Sequence, residues 1–259
     1  MKIPFNKYQG TGNDFVVIDN LSREFDLRKE QIVRICDRKF GVGSDGLILI
    51  QKHDNYDFEM VFYNPDASQS FCGNGSRCAV LFAKKLGLFG ETTRFLSTDG
   101  EHEAELLPNN WVKLKMHDVN ALEHINGDLF LNTGSPHYVK KEAFDDSFDI
   151  VSEARKIRYN ERYSAEGVNV NYIKTVNDVL FIRTYERGVE DETLSCGTGV
   201  TAAALALNEF TGSQEGDFKQ KVQSSGGRLE VHYTKSNRSF NNIYLLGPAT
   251  FVYRGEIDL

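Results

Sequence analysis

Positive charge is in short supply in this chain of 259 residues: 30 lysines and arginines face 37 aspartates and glutamates, a formal net charge of −7. That balance argues against nucleic acid or an anionic membrane surface as the main partner, because both reward basic patches. A small zwitterionic substrate stays open, since it answers to groups in the local site. Cysteine is scarce as well, with only Cys36, Cys72, Cys78 and Cys196. Four do not make a disulfide framework in a chain of this size. There is no Cys-x-x-Cys pair, and the Cys72–Cys78 spacing does not suit a zinc knuckle, so no metal site is expected. No apolar run reaches membrane-spanning length, and the N-terminal MKIPFNK lacks the apolar core of a signal peptide. The expectation is a soluble cytoplasmic protein. Long Pro/Ser linkers and low-complexity segments are also missing. Gly10 and Gly12 could be taken for a phosphate loop, but a β run (Phe15 to Ile18) follows them where a helix should begin. Asn13 and Asp14 in that turn read first as turn chemistry.

What is present is organised around the stretch Cys72-Gly73-Asn74-Gly75-Ser76-Arg77-Cys78, followed by an apolar run. Ala79, Phe82, Ala83 and Leu86 recur at the spacing of one buried helical face. Gly87 follows as a helix stop, with Lys84 and Lys85 in the last turn, where the helix dipole favours cations. Cys72 therefore sits just before a helix N-terminus, where backbone N–H groups and the positive end of the dipole favour a thiolate. The glycines let a ligand come close to those N–H groups, which suits a carboxylate. Cys78 on the helix and Cys36 in QIVRIC read as small buried hydrophobes, and Arg77 as a solvated or interdomain residue.

The chain then does this a second time. Ser195-Cys196-Gly197-Thr198-Gly199 leads into VTAAALAL, with Val200, Ala203, Ala204 and Leu207 as the apolar stripe and Thr198 as an N-cap candidate. The surroundings repeat too. Strand, glycine turn, strand, helix (about 26–40), strands and the Cys72 helix in the first half are matched by strand, Gly134 turn, strand, helix (about 149–159), strands and the Cys196 helix in the second. The pattern restarts near Asp118.

Four readings compete for two matched thiols. Two buried structural cysteines would explain neither the flanking glycines nor the repeat. A redox dithiol usually lies close in sequence. A single nucleophile with His137 as its base would leave the second motif idle. Inversion at a carbon uses both: one thiolate removes a proton from one face while a thiol delivers one to the other, and the reverse reaction swaps them. Two helix starts converging on a carboxylate would also hold the charge that develops as the proton leaves. With no pyridoxal-lysine motif and no dinucleotide loop, cofactor-free chemistry is the simpler assumption.

The segments GTGNDF (Gly10 to Phe15), Gly41 to Gly46, YNPDAS (Tyr63 to Ser68), CGNGSRC (Cys72 to Cys78), GSPH (Gly134 to His137), YERG (Tyr185 to Gly188), ETLSCGTG (Glu192 to Gly199) and GPAT (Gly247 to Thr250) occur in this order. Together they resemble the diaminopimelate epimerases of lysine and peptidoglycan synthesis, along nearly the whole chain. The resemblance implies an α/β (α+β) fold of two pseudo-symmetric domains, each a mostly antiparallel β-barrel around a central helix. The domains would be 1–117 plus 249–259, carrying Cys72, and 118–248, carrying Cys196, with the active site in the cleft between them. It implies interconversion of LL- and meso-2,6-diaminopimelate without cofactor or metal, in a cytoplasmic homodimer. The tail around Tyr253 is a candidate interface read from the sequence, apart from the resemblance.

By the same resemblance Cys72 and Cys196 are the acid/base pair, and the backbone of Gly73, Asn74, Gly197 and Thr198 holds the reacting carboxylate. Asn13 and Glu186 would lie near the reacting amine. Asn64, Asn169 and Arg187 would read the distal amino-acid head, Arg187 by pairing with its carboxylate. Ser135 stands where many relatives have Asn, and Gly46 where some have Gln. His137 is either a support for the site or a turn histidine satisfied by backbone. Proline racemases and hydroxyproline epimerases share the two-cysteine logic but would not need Arg187 and the asparagines. Phenazine-pathway isomerases share the fold without the cysteine pair. A non-catalytic amino-acid-binding module is the rival of another class.

Overall fold

The computed structural model describes residues 2–212 and 214–259. Contacts divide the chain into two compact units, Met1–Leu114 with Gly247–Leu259, and Lys115–Leu246.

The first unit contains β1 (Lys2–Gly10), β2 (Asn13–Asp19), α1 (Lys29–Cys36), β3 (Gly46–Gln51), β4 (Phe58–Tyr63), α2 (Gly73–Lys85), β5 (Thr92–Ser97), β6 (Gly100–Leu107), β7 (Trp111–Lys115) and the C-terminal strand β17 (Thr250–Asp258). β17 pairs antiparallel with β1. From β1 to β7 each strand pairs with the next, and the pairs run antiparallel, parallel, antiparallel, parallel, antiparallel, antiparallel. Parallel neighbours need a crossover, and the helices supply it: α1 carries the chain from β2 to β3, and α2 from β4 to β5.

The second unit repeats that plan with β8 (Leu122–Ile125), β9 (Asp128–Asn132), β10 (Pro136–Lys141), α3 (Ile150–Arg158), β11 (Asn169–Val176), β12 (Val179–Glu186), β13 (Asp191–Thr193), α4 (Gly197–Phe210), β14 (Gly216–Ser224), β15 (Gly227–Ser236) and β16 (Ser239–Pro248). β8 pairs with β9. From β9–β10 to β15–β16 the directions are again antiparallel, parallel, antiparallel, parallel, antiparallel, antiparallel, with β14 following β12. α3 and α4 carry the two crossovers. The short β13 is an addition beside β12. Both cysteine motifs thus open the helix of the same crossover in the same ladder. The fold is mixed α/β, mostly sheet with few helices.

Within each unit one helix is central and the other peripheral. α4 is buried without a break from Gly199 to Asn208, and α2 from Gly73 to Val80. A helix buried on every side belongs to a core. α2 packs on β1, β2, β3, β4 and β6, and α4 on β9 to β12, β14 and β15, so each sheet curls round its helix. The sequence pattern of one apolar face understates this. Small residues such as Ala202, Ala203, Ala204 and Ala206 let strands approach from all directions. α1 lies on the outer side of its sheet, with Ile32 and Ile35 against Val16, Ile18, Leu47 and Leu49. α3 does the same, with Ile150 and Ala154 against Tyr138, Val170, Tyr172 and Tyr185. Each fully buried Ile of this kind contributes about 1.5–3 kcal/mol.

The helix ends follow their local chemistry. Gly87, at φ +76°, closes α2: its N–H bonds Lys84 O at 3.0 Å and that of Leu88 bonds Ala83 O at 3.2 Å. α1 is much shorter than the expected 26–40. It stops at Asp37, which turns extended and accepts hydrogen bonds from the N–H groups of Lys39 and Phe40. α3 starts at an Asp149 cap that accepts from Ser152 N at 3.1 Å. Among the described residues no helix is long and apolar enough to cross a membrane.

Candidate active site

Cys72 is the N-cap of α2. Its backbone is extended and its sulfur accepts the Gly75 N–H at 3.3 Å. Gly73 and Asn74 supply the first N–H groups of the helix, where the dipole is most positive. Across from the sulfur lies Asn13, at the start of β2. Its Oδ1 is 3.8 Å from Cys72 Sγ and accepts Asn74 Nδ2 at 3.2 Å. The amide is oriented by its other end, since Nδ2 donates to Asp45 Oδ2 at 2.7 Å. Asp45 and Asp14 are in turn gathered by Arg38 at 2.7 Å each, and Lys7 pairs with Asp14. Burial works against a charge on Asp14, but hydrogen bonds from Arg38 and Lys7 outweigh it and hold the carboxyl below its usual range. Asn13 is therefore held against the Cys72 sulfur and the first turn of α2, and turn chemistry alone does not account for it.

Cys196 is the N-cap of α4 and is 8% exposed. The N-cap expected at Thr198 is a correction. Thr198 lies inside the first turn, and its hydroxyl is 3.4 Å from Cys196 Sγ. The hydroxyl is also 2.9 Å from His137 Nε2, while His137 Nδ1 is 3.1 Å from Asn171 Nδ2. Asn171 Nδ2 also donates to Tyr138 O at 3.1 Å, which fixes that amide as a donor towards the imidazole. Nδ1 is then an acceptor, the proton sits on Nε2, and Nε2–H donates to Thr198 Oγ1. The Thr198 hydroxyl proton is left to point at the Cys196 sulfur. His137 is wholly buried, and burial, followed by the nearby charge of Arg187, pulls its pKa down to about 3, so the ring is neutral. Its ring nitrogens are satisfied by side chains, and the backbone-satisfied turn histidine is set aside.

The second glycine of each motif has a packing reason. A Cβ at Gly199 would stand 2.7 Å from Asn171 Oδ1 and 3.4 Å from His137 Cε1, and one at Gly75 would stand 3.3 Å from Met60 Cε. These glycines seat the helix start against its neighbours.

In the second unit Asn169, Arg187 and Ser135 come together. Asn169 Oδ1 accepts Arg187 N at 2.8 Å, and its Nδ2 donates to Ser135 Oγ at 2.9 Å. Arg187 Nη2 reaches the same Ser135 Oγ at 3.4 Å, and Nη1 donates to Glu166 O at 2.9 Å. Gly167, at φ +78°, makes the room, since a Cβ there would lie 2.5 Å from Arg187 Cδ. Ser135, noted in the sequence only as a departure, is the hub of this cluster; the signal was a hydroxyl placed directly before Pro136-His137. Glu186, one residue before Arg187, accepts Thr193 Oγ1 at 2.8 Å. Asn64 belongs to the first unit, where its Nδ2 donates to Ser68 Oγ at 3.0 Å and Ser70 Oγ at 3.1 Å.

Three other calls are resolved. Cys36 and Cys78 are buried, and burial raises both thiols above their usual range, as fits small hydrophobes. Gly46 is held by packing: a Cβ there would lie 2.3 Å from Phe62 Cε2. Arg77, read as solvated or interdomain, is fully buried at 0% exposure.

A profile of the diaminopimelate epimerase family matches residues 5–122 and 129–252. The chain is 46% identical over 254 residues to the diaminopimelate epimerase of Flavobacterium psychrophilum, covering 97% of this chain and 98% of that one. To the diaminopimelate epimerase of Chlorobaculum tepidum it is 41% identical, covering 96% and 99%. Among solved structures, the Bacillus anthracis phenazine biosynthesis protein of the PhzF family superposes over the full length of both chains with a TM-score of 0.75 at 14% identity. That last likeness speaks for the fold alone.

Proposed function

The chain belongs to the diaminopimelate epimerase family, and we propose that it interconverts LL- and meso-2,6-diaminopimelate without a cofactor, using Cys72 and Cys196 as its acid/base pair. One observation carries the mechanism: each Cys-Gly-x-Gly motif opens the central helix at the same crossover of the same strand ladder. A duplicated scaffold of this kind yields two equivalent thiols, and inversion of a single carbon asks for two equivalent groups, one per face.

In this reading residues 1–117 plus 249–259 form the domain of Cys72 and 118–248 that of Cys196. The N–H groups of Gly73, Asn74, Gly197 and Thr198 hold the α-carboxylate and stabilise the negative charge that develops as the α-proton leaves. Asn13 and Glu186 accept hydrogen bonds from the reacting ammonium. The distal amino-acid head is read by Asn64, Asn169 and Arg187, with Ser135 steadying the last two. A ring substrate with a single carboxylate has no use for Arg187, which is the argument against proline and hydroxyproline. The protein works in the cytoplasm as a homodimer, and the exposed row Phe251, Val252 and Tyr253 on β17 is offered as its contact surface.

The test is deuterium incorporation at the α-carbon from heavy water, measured for the wild type, Cys72→Ala and Cys196→Ala. Turnover of diaminopimelate by the wild type and loss in both variants is expected. Full turnover in either variant would refute the two-base mechanism. Binding of diaminopimelate with no exchange in the wild type would favour a binding module.

A further inference from the structure

Arg77 stands first by size among the fully buried side chains, and its surroundings are unusual for a cation. Its Nη2 donates to Thr11 Oγ1 at 3.1 Å and its Nε to Pro248 O at 3.4 Å, while Nη1 has no hydrogen-bond partner. Both acceptors are uncharged. A guanidinium taken out of water is costly unless something compensates its charge, so its retention here calls for a reason.

The hairpin above it has been shaped to receive it. Thr11 is β-branched yet sits at φ +51°, in the left-handed region, and is 2% exposed. That conformation is strained for a non-glycine residue, and a two-residue turn of this type ordinarily takes Asn-Gly or Asp-Gly. What Thr11 provides in return is the hydroxyl that meets Arg77. Gly10 is the second adaptation, since a Cβ there would stand 3.2 Å from Arg77 Nη2, 3.2 Å from Asn74 O and 3.6 Å from Cys78 Sγ. The Gly10-Thr11-Gly12 turn, which made no sense as a phosphate loop, is a socket for a side chain of α2. The same hairpin ends in Asn13, the residue against the Cys72 sulfur.

The charges near the guanidinium can be followed element by element. Two thiols act on it, Cys78 and Cys72. Cys78, in the core, is held protonated by burial. Tyr8 on β1 is likewise protonated, its pKa pushed up to about 12 by burial and then by Cys78. From β3 and β4 the neighbours at Gly75 are Ile48 and Met60, which carry no charge. Lys7, Asp14, Arg38 and Asp45 close their charges on one another. Burial draws Arg77 down to about 10, which leaves it charged at neutral pH. β6 brings His102, which pairs with Asp99 at 2.7 Å and stacks on Phe71 beside Cys72. Cys72, half-buried at the helix start, is the thiol placed to answer the Arg77 charge by ionising.

We propose that Arg77 is the positioning residue of Cys72: its buried guanidinium locks the β1–β2 hairpin to the first turn of α2 and so holds the Asn13 amide oxygen against the sulfur, and its fixed charge offsets that oxygen's preference for the protonated thiol by favouring the thiolate. The proposal rests on the reading of Cys72 as an acid/base group and adds to it the source of that group's ionisation. Arg77 does not touch substrate in this account. It acts through Cys72 and Asn13.

The experiment is the pH dependence of iodoacetamide alkylation at Cys72, read by mass spectrometry in the full chain carrying Cys196→Ser. With Arg77 intact, Cys72 should titrate below the ordinary thiol value of about 8.5. Arg77→Met and Arg77→Gln should each raise that midpoint by about one unit, and Arg77→Lys, which keeps the charge, should restore most of the shift. In chains that retain Cys196, Arg77→Met should lower kcat with little change in KM. A Cys72 that titrates at 8.5 or above with Arg77 intact would overturn the proposal, and this needs no Arg77 variant to fold. So would identical profiles for the arginine chain and its folded neutral variants. Alkylation needs no substrate, so a wild type that fails to exchange deuterium would sink the epimerase reading and leave this titration standing.

Discussion

Thr198→Val is the substitution that tests the Cys196 end most directly. Valine keeps the shape of threonine and removes the one hydroxyl that bridges His137 Nε2 at 2.9 Å and Cys196 Sγ at 3.4 Å. Two consequences follow, and they are read by different instruments. The first is electrostatic. A hydrogen bond to a charged group contributes about 1.5–3 kcal/mol, and stripping a thiolate of that donor raises the thiol pKa by about one unit per 1.36 kcal/mol. The Cys196 midpoint should therefore rise by about one to two units in an alkylation titration of the Cys72→Ser chain. Deuterium exchange by the otherwise intact enzyme at pH 7 should fall about 10- to 100-fold. The second consequence is structural. His137 is wholly buried, and its Nε2–H would be left without an acceptor. An orphaned buried donor costs about 1–3 kcal/mol, which lowers Tm by about 2–4 °C per kcal/mol in a chain of this size. Thr198→Ser retains the oxygen and should recover both. If Thr198→Val leaves the Cys196 midpoint where it was, the direction assigned to the Asn171–His137–Thr198 chain is wrong, however much stability is lost.

The same histidine makes stability depend on pH. Folded His137 ionises near pH 3, against 6.5 for an ordinary imidazole, so the unfolded chain takes up the proton first. Its contribution is whole above pH 6.5 and drains away as the pH falls towards 3, about 2 kcal/mol between pH 7 and pH 5. Urea unfolding at the two pH values, with His137→Gln as the reference, should show the difference, and equal losses in both proteins would refute it. Gly46→Gln should destabilise this chain by about 1–3 kcal/mol, because a Cβ there collides with Phe62. Adding Phe62→Leu should return much of the lost Tm; a single variant as stable as wild type would show that Phe62 moves freely. For the homodimer proposed above, Val252→Lys, on the exposed β17 row, should shift sedimentation velocity from dimer to monomer, and an unchanged sedimentation coefficient would count against that dimer contact.

How far the sequence could be read depended on whether a residue's role was local. The cysteine helix starts, the Gly87 stop and the helix beginning near Asp149 are settled by a few neighbouring residues, and all are present in the fold. The repeat was legible for the same reason, as an order of local signals. Where the reading failed, distant strands decided. Thr198 looks like an N-cap by residue type, but the cap is the residue whose backbone turns extended, and that is Cys196. β13 and the full lengths of β14 and β16 depend on pairing partners far along the chain.

Arg77 is the instructive case. A charged side chain on a helix with one apolar stripe belongs on the solvent side, and that inference assumes the helix has a solvent side. α2 has almost none, because the sheet wraps it. Once the helix is central, a charge at position 77 must be enclosed, and the chain has to supply something to meet it. A threonine held in a left-handed turn and a glycine whose Cβ would press on Arg77 and Asn74 are both found at that spot. Neither residue makes sense in its own hairpin, and both make sense beside a buried cation. Local chemistry that contradicts its own element is therefore the clue to look for, because it points to a partner from elsewhere in the chain.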